Sequence, residues 1–275
     1  MWKSISILSY FLIVSIHSAP PSRNSTNGDV APCLSAFYSV AFNGEYNCTS
    51  DFDFLSLNAS SQHESFKTGK SCFLQVAKSE CTSAQYTLLS TKYDDFLDVL
   101  TNEPTDIQDC SSFYFKYNSL KCEPLMQSFM KTVAPIITIS TKANDSRVLE
   151  GIELCHQIQE CISPVCFTSS TEREMITDSC KSIGMKNSDF SICLTKIQKT
   201  TPDMSGYTCL GDMDFYDPGV PVAMEKLTTK KSCLKEIMKD ICGEKSIQNF
   251  DENTEFMLKT IKRMIAMTGV FTDNA

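Results

Sequence analysis

The chain has 275 residues, of which 42% are hydrophobic and 21% are charged, and its formal net charge is −8. This composition is typical of a folded protein, because disordered chains contain fewer apolar residues and a more one-sided charge. The acidic balance argues against the basic surfaces with which proteins bind nucleic acids or anionic membranes. We therefore expect no nucleic acid among the partners.

The N-terminus has the pattern of a secretory signal peptide. Lys3 supplies the positive charge of the N-terminal region, and a twelve-residue apolar segment follows from position 5 to position 16. The small residues Ser18 and Ala19 then offer a cleavage site. Twelve helical residues span about 18 Å, well short of the roughly 30 Å hydrocarbon core of a bilayer. We predict a signal peptide at residues 1–18 and a mature protein that is secreted, extracellular and without a membrane span.

The cysteine content agrees with this compartment. The chain has 14 cysteines, an even number, and in an oxidising compartment such a set predicts seven disulfides. The cysteines concerned are Cys33, Cys48, Cys72, Cys81, Cys110, Cys122, Cys155, Cys161, Cys166, Cys180, Cys193, Cys209, Cys233 and Cys242. We predict that all of them are oxidised and that none holds a metal.

Four N-glycosylation sequons also fit a secreted protein. They begin at Asn24, Asn47, Asn58 and Asn144. Asn47 is the poorest acceptor of the four, because Cys48 lies inside its sequon and is expected to be oxidised early in folding. The sequence therefore predicts a glycoprotein.

A segment of the chain is duplicated at an offset of 161 residues. Without gaps, 11 of the 34 positions from 48 to 81 are identical in the segment 209–242. The identities include three cysteines of each copy, Cys48, Cys72 and Cys81 in the first and Cys209, Cys233 and Cys242 in the second. They also include the motif Asp-x-Asp-Phe, at 51–54 and again at 212–215. The period is too long for a solenoid, so the sequence predicts a duplicated domain.

The duplication is incomplete, because six cysteines between positions 110 and 180 occur only once. The stretch that follows the last cysteine of each copy has a similar length, which favours a shortened copy followed by a full one. We predict a partial repeat with four cysteines at residues 19–105 and a full helical domain with ten cysteines at residues 106–275. We expect the second fragment to fold alone and limited proteolysis to cut between residues 101 and 108.

Apolar residues recur mostly at helical spacing. Leu234, Ile237, Met238 and Ile241 follow the i, i+3, i+4, i+7 pattern of a helix face, and sustained strand alternation is absent. The proline- and glycine-rich residues 203–221 predict a long loop pinned by a cysteine. The predicted fold is mainly α: a small, disulfide-rich helical domain, duplicated as a partial N-terminal copy and a full C-terminal copy.

Helical spacing limits the disulfide pairing. If residues 72–81 form a helix, the cysteines at its ends are about 13 Å apart, whereas a disulfide needs Cα atoms within about 7 Å. Cys72 therefore should not pair with Cys81, and the equivalent cysteines of the second copy should not pair either. If the leading copy closes its own bridges, two pairings stay open for it: Cys33–Cys72 with Cys48–Cys81, or Cys33–Cys81 with Cys48–Cys72.

The cysteine pattern of the second part resembles a known family. Residues 110–242 contain Cys-x11-Cys, then Cys-x5-Cys-x4-Cys starting at Cys155, the lone Cys180, Phe-Ser-Ile-Cys-Leu at 190–194 and a final Cys-x8-Cys. This arrangement resembles the nematode secreted cysteine-rich family called domain of unknown function 19, which occurs in one or two copies per chain. The resemblance covers residues 106–275 fully and the preceding part partially. It implies an extracellular, helical, disulfide-bonded domain and supplies no catalytic residues.

Candidate catalytic residues are scarce. After cleavage only His63 and His156 remain as histidines, whereas serine and cysteine nucleophiles need a positioned imidazole as base. His156 follows Cys155, but adjacent residues of a helix do not face each other. No Gly-x-Ser-x-Gly motif and no glycine-rich phosphate loop occurs in the sequence. We predict no catalytic residue, no cofactor and no enzyme activity.

Metal sites are predicted to be absent as well. The cysteine-rich segment 155–166 could form a zinc cluster, but disulfides are the stronger interpretation in a secreted chain with 14 cysteines. The Asp-x-Asp pairs at 51–53 and 212–214 could hold calcium but lack the later EF-hand ligands, so local turn bonds are favoured. Five lysines are spaced about one helical turn apart, and we interpret them as a solvated helix face. They are Lys226, Lys230, Lys231, Lys235 and Lys239.

Taken with the compartment, these features predict a secreted binding module without catalytic activity, whose partner is an extracellular protein, a lipid or a small ligand. Two alternatives stay open: a secreted enzyme with an unrecognised site, and a structural matrix component. Matrix proteins tend towards low complexity or many repeats, which this chain lacks. A lipid ligand would require an internal apolar cavity, for which 17 phenylalanines and 12 methionines could provide the walls.

Overall fold

Helices form all of the regular secondary structure in the residues that the computed structural model describes, 29–104, 110–138 and 145–268. No strand occurs among these residues, so the predicted mainly α fold is confirmed. The predicted signal peptide and the sequons at Asn24 and Asn144 lie outside the described residues, as does part of the segment predicted to be cut by proteases.

The helices are mostly short and are separated by turns and loops. In chain order they are α1 (Ala31–Phe42), α2 (Ala59–Thr68), α3 (Lys70–Glu80), α4 (Ser83–Thr91), α5 (Tyr93–Thr101), α6 (Phe113–Ser119), α7 (Glu123–Thr138), α8 (Ser146–Cys161), α9 (Ser170–Lys186), α10 (Asp189–Thr200), α11 (Val220–Leu227), α12 (Lys231–Cys242) and α13 (Phe250–Thr268). Short 3-10 turns lie between some of them, at Asn47–Asp51, Leu120–Cys122, Val165–Phe167, Thr208–Leu210 and Glu244–Ile247. None of the described helices is long and apolar enough to cross a membrane.

Capping residues explain where several helices begin. Thr82 and Gln85 form a capping box at α4: the Thr82 hydroxyl oxygen accepts from the Gln85 amide over 3.3 Å, and the Gln85 side chain accepts from the Thr82 amide over 3.1 Å. Ser188 caps α10 by accepting from the Ser191 amide over 3.3 Å. Pro221 lies in the first turn of α11, where its missing N–H is not needed.

The described residues form two compact units. Among the described residues, the N-terminal unit contains 29–104, 110–130 and 154–177, and the C-terminal unit contains 131–138, 145–153 and 178–268. The duplicated segment of the leading copy, 33–81, lies within the first unit, and its counterpart, 193–242, lies within the other. The predicted duplication is therefore present in the fold.

Aromatic side chains fill the core of the N-terminal unit. Phe37 of α1, Phe66 of α2 and Phe73 of α3 are fully buried, together with Phe54 from the loop between α1 and α2. Their ring centroids lie 4.7–5.9 Å apart, mostly with the edge of one ring towards the face of the next. Each such pair contributes about 0.5–1.5 kcal/mol beyond the burial of its area. The core therefore joins three helices and one loop.

The C-terminal unit repeats this plan with aliphatic side chains. Leu227 of α11 and Leu234 of α12 occupy the positions of Phe66 and Phe73 at the offset of 161, and both are buried. Phe215 keeps the phenylalanine of the loop and is also buried. The two copies therefore share the burial pattern but not the side-chain type.

Two disulfides join the same elements in each copy. They are Cys33–Cys81 and Cys48–Cys72 in the first copy and Cys193–Cys242 and Cys209–Cys233 in the second. The bridges close 48 and 24 residues in the first copy and 49 and 24 in the second. This is one of the two pairings that helical spacing left open. One bridge ties the first helix of the copy to the end of the third, and the other ties the loop to the start of the third.

The cysteines outside the repeat are oxidised as well. Two further bridges are Cys110–Cys166 and Cys122–Cys161. Cys155 and Cys180 are also disulfide-bonded, and the chain has no free cysteine. The cysteines of the segment 155–166, considered for zinc, are therefore all used in disulfides.

Packing continues across the predicted boundary at residue 105. Tyr117 of α6 belongs to the aromatic core of the N-terminal unit, and the Asn118 side-chain amide donates to the Leu100 carbonyl oxygen over 2.8 Å. Helix α6 follows the boundary in sequence but packs with the leading copy. The repeat boundary stays a prediction, whereas a fragment that begins at residue 106 would lose the surface on which α6 lies.

We expect cleavage in the segment 105–109 to leave the two parts of the chain associated. A specific protease site inserted after Asp106 would break the only covalent link, because the cysteines of the leading copy pair among themselves. Denaturing electrophoresis without reductant should show two fragments, and native size-exclusion chromatography should show one species. Tyr117→Ala should weaken this association. Separation of the unsubstituted fragments in native buffer would contradict the packing of α6.

Candidate functional site

One of the two histidines among the described residues links two helices. The ring nitrogen Nδ1 of His63 on α2 lies 3.0 Å from the Thr101 hydroxyl on α5. That hydroxyl donates to the Leu97 carbonyl oxygen over 2.8 Å, so its oxygen accepts from the imidazole, which therefore carries a proton on Nδ1. His156 is exposed on α8. The contact of His63 is thus explained by helix packing.

The Asp-x-Asp-Phe motif shapes a turn in the second copy. The Asp214 carboxylate accepts from the Tyr216 amide over 2.9 Å, and Phe215 between them is buried. This is the local turn bond favoured by the sequence. Within the described ranges, no group of three or more histidine, cysteine, aspartate or glutamate side chains is placed to hold a metal ion.

Two buried lysines hold the loops that carry this motif. Lys226 of α11 is 7% exposed and donates to the Phe215 carbonyl oxygen, so its interpretation as part of a solvated face is wrong. Lys121 is 5% exposed and donates to the Ser56 carbonyl oxygen over 2.9 Å and to the Asn118 side-chain oxygen over 3.3 Å. Burial lowers the pKa of both lysines, that of Lys121 to about 8. The loop of the leading copy is thus anchored by Lys121, which follows that copy in the sequence. The loop of the second copy is anchored by Lys226, which belongs to the copy itself.

Three other lysines of the predicted face do form surface ion pairs. The Nζ atoms of Lys231 and Lys235 lie 2.7 Å and 3.8 Å from the Asp251 carboxylate. The Nζ atom of Lys239 lies 2.6 Å from the Glu244 carboxylate. Such exposed pairs contribute roughly 0–1 kcal/mol each, so these lysines keep the solvated role that the sequence predicted.

Two of the four sequons lie in the N-terminal unit, and both asparagines are exposed. Asn58 caps α2, because its side-chain oxygen accepts from the Ser61 amide over 3.0 Å. That bond leaves the side-chain nitrogen, the atom that N-glycosylation of a sequon would modify, outside the cap. In the sequon of Asn47, Thr49 is 4% exposed. The fold therefore presents the sequon of Asn58 more openly than that of Asn47.

Two strongly exposed apolar side chains lie on the N-terminal unit. Val165 is 81% exposed and Phe113 is 57% exposed, the two highest values among the exposed large hydrophobic side chains of the described residues. Helix α6, which begins at Phe113, packs against the 3-10 turn Val165–Phe167. The bridge Cys110–Cys166 joins the same two regions. We call Phe113 and this turn the apolar tip.

Covalent and polar contacts fix the turn of the apolar tip. The Arg173 guanidinium donates to the carbonyl oxygens of Ile162 and Pro164, the latter over 2.9 Å. The bridge Cys122–Cys161 ties down the end of α8 immediately before the turn. A segment held in this way has little conformational entropy left to lose when it binds. The tip is therefore preorganised.

The C-terminal unit contains a small cavity and a larger open one. The small cavity lies in the core between Leu227, Leu234 and Met257 and has a volume of about 20 Å³, room for one water molecule. The open cavity has a volume of about 500 Å³, and all thirteen residues that line it belong to the loop 201–216 between α10 and α11. We call it the loop cleft.

Sequence reasoning missed the apolar tip, the loop cleft and the buried lysines. A signal for the tip was present, because Ser163-Pro-Val-Cys-Phe167 places a turn-forming proline and two apolar residues around a cysteine. The loop itself was predicted from its prolines and glycines, but its concave shape has no signature in the sequence. The buried position of Lys226 had none either, because its charge fits a helix face equally well.

The buried Lys121 predicts a stability that rises with pH. Between pH 8 and about 10.5 the amine is protonated in the unfolded chain but mostly neutral in the folded one, so the unfolded state binds more protons and unfolding becomes harder as pH rises. Relative to Lys121→Met, the wild-type free energy of unfolding should increase by about 1–2 kcal/mol from pH 7 to pH 9.5. Urea denaturation with intact disulfides measures this difference. A difference that stays constant with pH would contradict the burial of the amine.

Comparison with known families identifies both copies of the repeat. The family described as Domain of unknown function (DUF19) matches residues 21–111 and again residues 110–263. No curated protein and no solved structure matches the chain. The two matches cover most of the chain and agree with the duplicated bridges and helices. The chain therefore belongs to the DUF19 family, of which it contains two copies.

Proposed function

We propose that this chain is a secreted, extracellular protein that binds a partner protein through its apolar tip and has no catalytic activity. The family and the disulfide-rich fold fit an extracellular protein. The same proposal includes a signal peptide at residues 1–18 and glycans on the sequons of Asn24, Asn47, Asn58 and Asn144. The extracellular location is supported by the signal-peptide pattern, the sequons and the cysteine content of the sequence. The binding role is supported by the exposed side chains of the apolar tip.

The exposure of Val165 carries the binding proposal. Leaving such a side chain in water forgoes about 1.5–3 kcal/mol relative to full burial, and at 81% exposure most of this remains available to a partner. Protein interfaces are enriched in aromatic side chains, which Phe113 provides beside the turn. Because the turn is held by Arg173 and by disulfides, binding would cost little ordering. A rigid apolar anchor of this kind suits a pocket on another protein.

A partner protein fits the tip better than a lipid does. Two large exposed apolar side chains form a small patch, whereas helices that lie on membranes bury a whole apolar face. The net charge of −8 would also oppose anionic lipids. The cavity of about 20 Å³ in the C-terminal core is too small for an acyl chain, and the loop cleft of about 500 Å³ has two carboxylates, Asp203 and Asp214, in its lining. Lipid binding is therefore less well supported than protein binding.

An enzyme is less well supported as well. The hydroxyl that His63 contacts is already bonded to a helix carbonyl, so this imidazole is used in packing rather than beside a nucleophile. His156 is exposed, and catalytic bases usually sit in a pocket where burial tunes them. A matrix component would be expected to have a long array of repeats, whereas two copies are found here.

We expect Val165→Asp to abolish partner binding while the protein still folds and is secreted. The side chain is exposed, so the carboxylate costs the folded state little, but it would have to be desolvated in an apolar pocket. Tagged wild-type and variant proteins would be incubated with extracellular fluid of the source organism, and retained proteins would be quantified by mass spectrometry. At least one protein should be retained by wild type and reduced about tenfold or more with the variant.

The matched control is Leu149→Asp, which places the same charge on α8 at another exposed apolar position, 44% exposed. This control should retain the partner as wild type does. If Val165→Asp and wild type retain the same proteins in the same amounts, the tip is not the binding surface.

A second experiment separates binding from catalysis. The double variant His63→Gln, His156→Gln should leave secretion and partner binding unchanged, because the proposed surface contains no histidine. Cys233→Ser should instead abolish secretion, since it leaves Cys209 without its bridge and removes about 2–5 kcal/mol of stability. Immunoblots of the medium and the retention assay give both readouts. Loss of function in a normally secreted double variant would favour an enzyme.

A further inference from the structure

The loop cleft exists because the second copy has a longer loop. Helix α1 ends at Phe42, six residues before Cys48, whereas α10 ends at Thr200, nine residues before Cys209. One of the three is an extra residue between the equivalent cysteines, and the other two arise because α10 ends two residues earlier than α1, counted from the cysteine of each helix. The segment 201–208 supplies seven of the thirteen lining residues. The cleft is thus a feature of the second copy.

Several contacts fix the walls of the cleft. The Tyr216 hydroxyl donates to the Pro202 carbonyl oxygen over 2.5 Å, which joins the two ends of the loop. The Lys230 ammonium donates to the Cys209 carbonyl oxygen over 3.0 Å, and a disulfide ties the same residue to Cys233. The concavity is therefore formed before any ligand enters, as is usual for binding sites of small molecules.

The lining combines apolar groups with negative charge. Four of its members offer aromatic rings or thioethers, Met204, Tyr207, Met213 and Tyr216, whereas the Phe215 ring is buried in the core with the Lys226 ammonium 4.4 Å from its centroid. Asp203 and Asp214 contribute two carboxylates, and no lysine, arginine or histidine is among the thirteen lining residues. The ammonium groups of Lys226 and Lys230 donate to carbonyl oxygens of the same loop, those of Phe215 and Cys209. Hydrogen bonds from the amide and hydroxyl of Ser205 hold the pKa of Asp203 below its usual range, which keeps this group ionised at neutral pH. The cleft thus offers apolar surface and negative charge to one ligand.

We propose that the loop cleft binds an organic ammonium ion with an apolar substituent. The carboxylates would attract the ammonium group, and electron-rich ring faces add to this attraction. The methionine thioethers adapt to apolar groups of varied shape. A volume of about 500 Å³ accommodates a molecule with one aromatic ring. This site is independent of the apolar tip, so either proposal can fail without the other.

The first arm of the test compares a charged probe with a neutral one of the same shape. The full-length secreted protein, labelled with ¹³C at its methionine methyl groups, would be titrated with 2-phenylethylamine, which is a cation at neutral pH, and with 2-phenylethanol. The amine should produce saturable shifts of the Met204 and Met213 signals at millimolar concentration. The alcohol should bind about tenfold more weakly or not at all.

The second arm removes the charge and keeps the turns. Asp203→Asn with Asp214→Asn retains an oxygen that can accept the same amide bonds, and this variant should bind the amine about fivefold more weakly. Asp53→Asn is the matched control, because Asp53 is the counterpart of Asp214 in the leading copy. It should leave the affinity unchanged. Equal binding of amine and alcohol, an unchanged affinity in the double variant, or no saturable shift with the amine would each overturn the proposal.

Discussion

Two disulfides per copy determine where the other groups of that copy lie. Cys33–Cys81 and Cys48–Cys72 tie the first helix and the following loop to opposite ends of the third helix. Closing loops of 48 and 24 residues stabilises the fold by about 3–4 kcal/mol each through the lost entropy of the unfolded chain. Because this constraint does not depend on the core, one copy can be packed with phenyl rings and the other with leucines. The same bridges leave the copies free to differ in their loops.

This freedom explains how one framework carries two different surfaces. In the C-terminal unit the loop before Cys209, three residues longer than the loop before Cys48, contains a cleft of about 500 Å³. In the N-terminal unit, further bridges and Arg173 hold an apolar turn in water. Neither feature is needed for core packing. Surfaces that cost stability or add nothing to it, and that are nevertheless held rigidly, are the places where a binding function is expected.

The sequence predicts most of the framework and little of the surface. Two disulfide pairings remained for the leading copy once its helices and the repeat were recognised. Cysteines at opposite ends of one helix are too far apart to pair, and this constraint is local, so the sequence reveals it. The burial of Lys226 could not be predicted, because it depends on the loop that contains Phe215. The sequence does not show that this loop packs over the helix face of Lys226. The assignment of α6 to the leading copy depends on the long-range contact of Tyr117, which spacing does not reveal. The exposure of Val165 is likewise a tertiary property.

The binding role proposed for the apolar tip requires that the tip is rigid before it meets a partner. NMR relaxation of the free protein tests it directly, through backbone order parameters for residues 163–167. The fold described here predicts values of about 0.85, as in the helices on either side, because the turn is held by Arg173 and two disulfides. Values below about 0.6 would show a mobile turn and would contradict a preorganised binding surface.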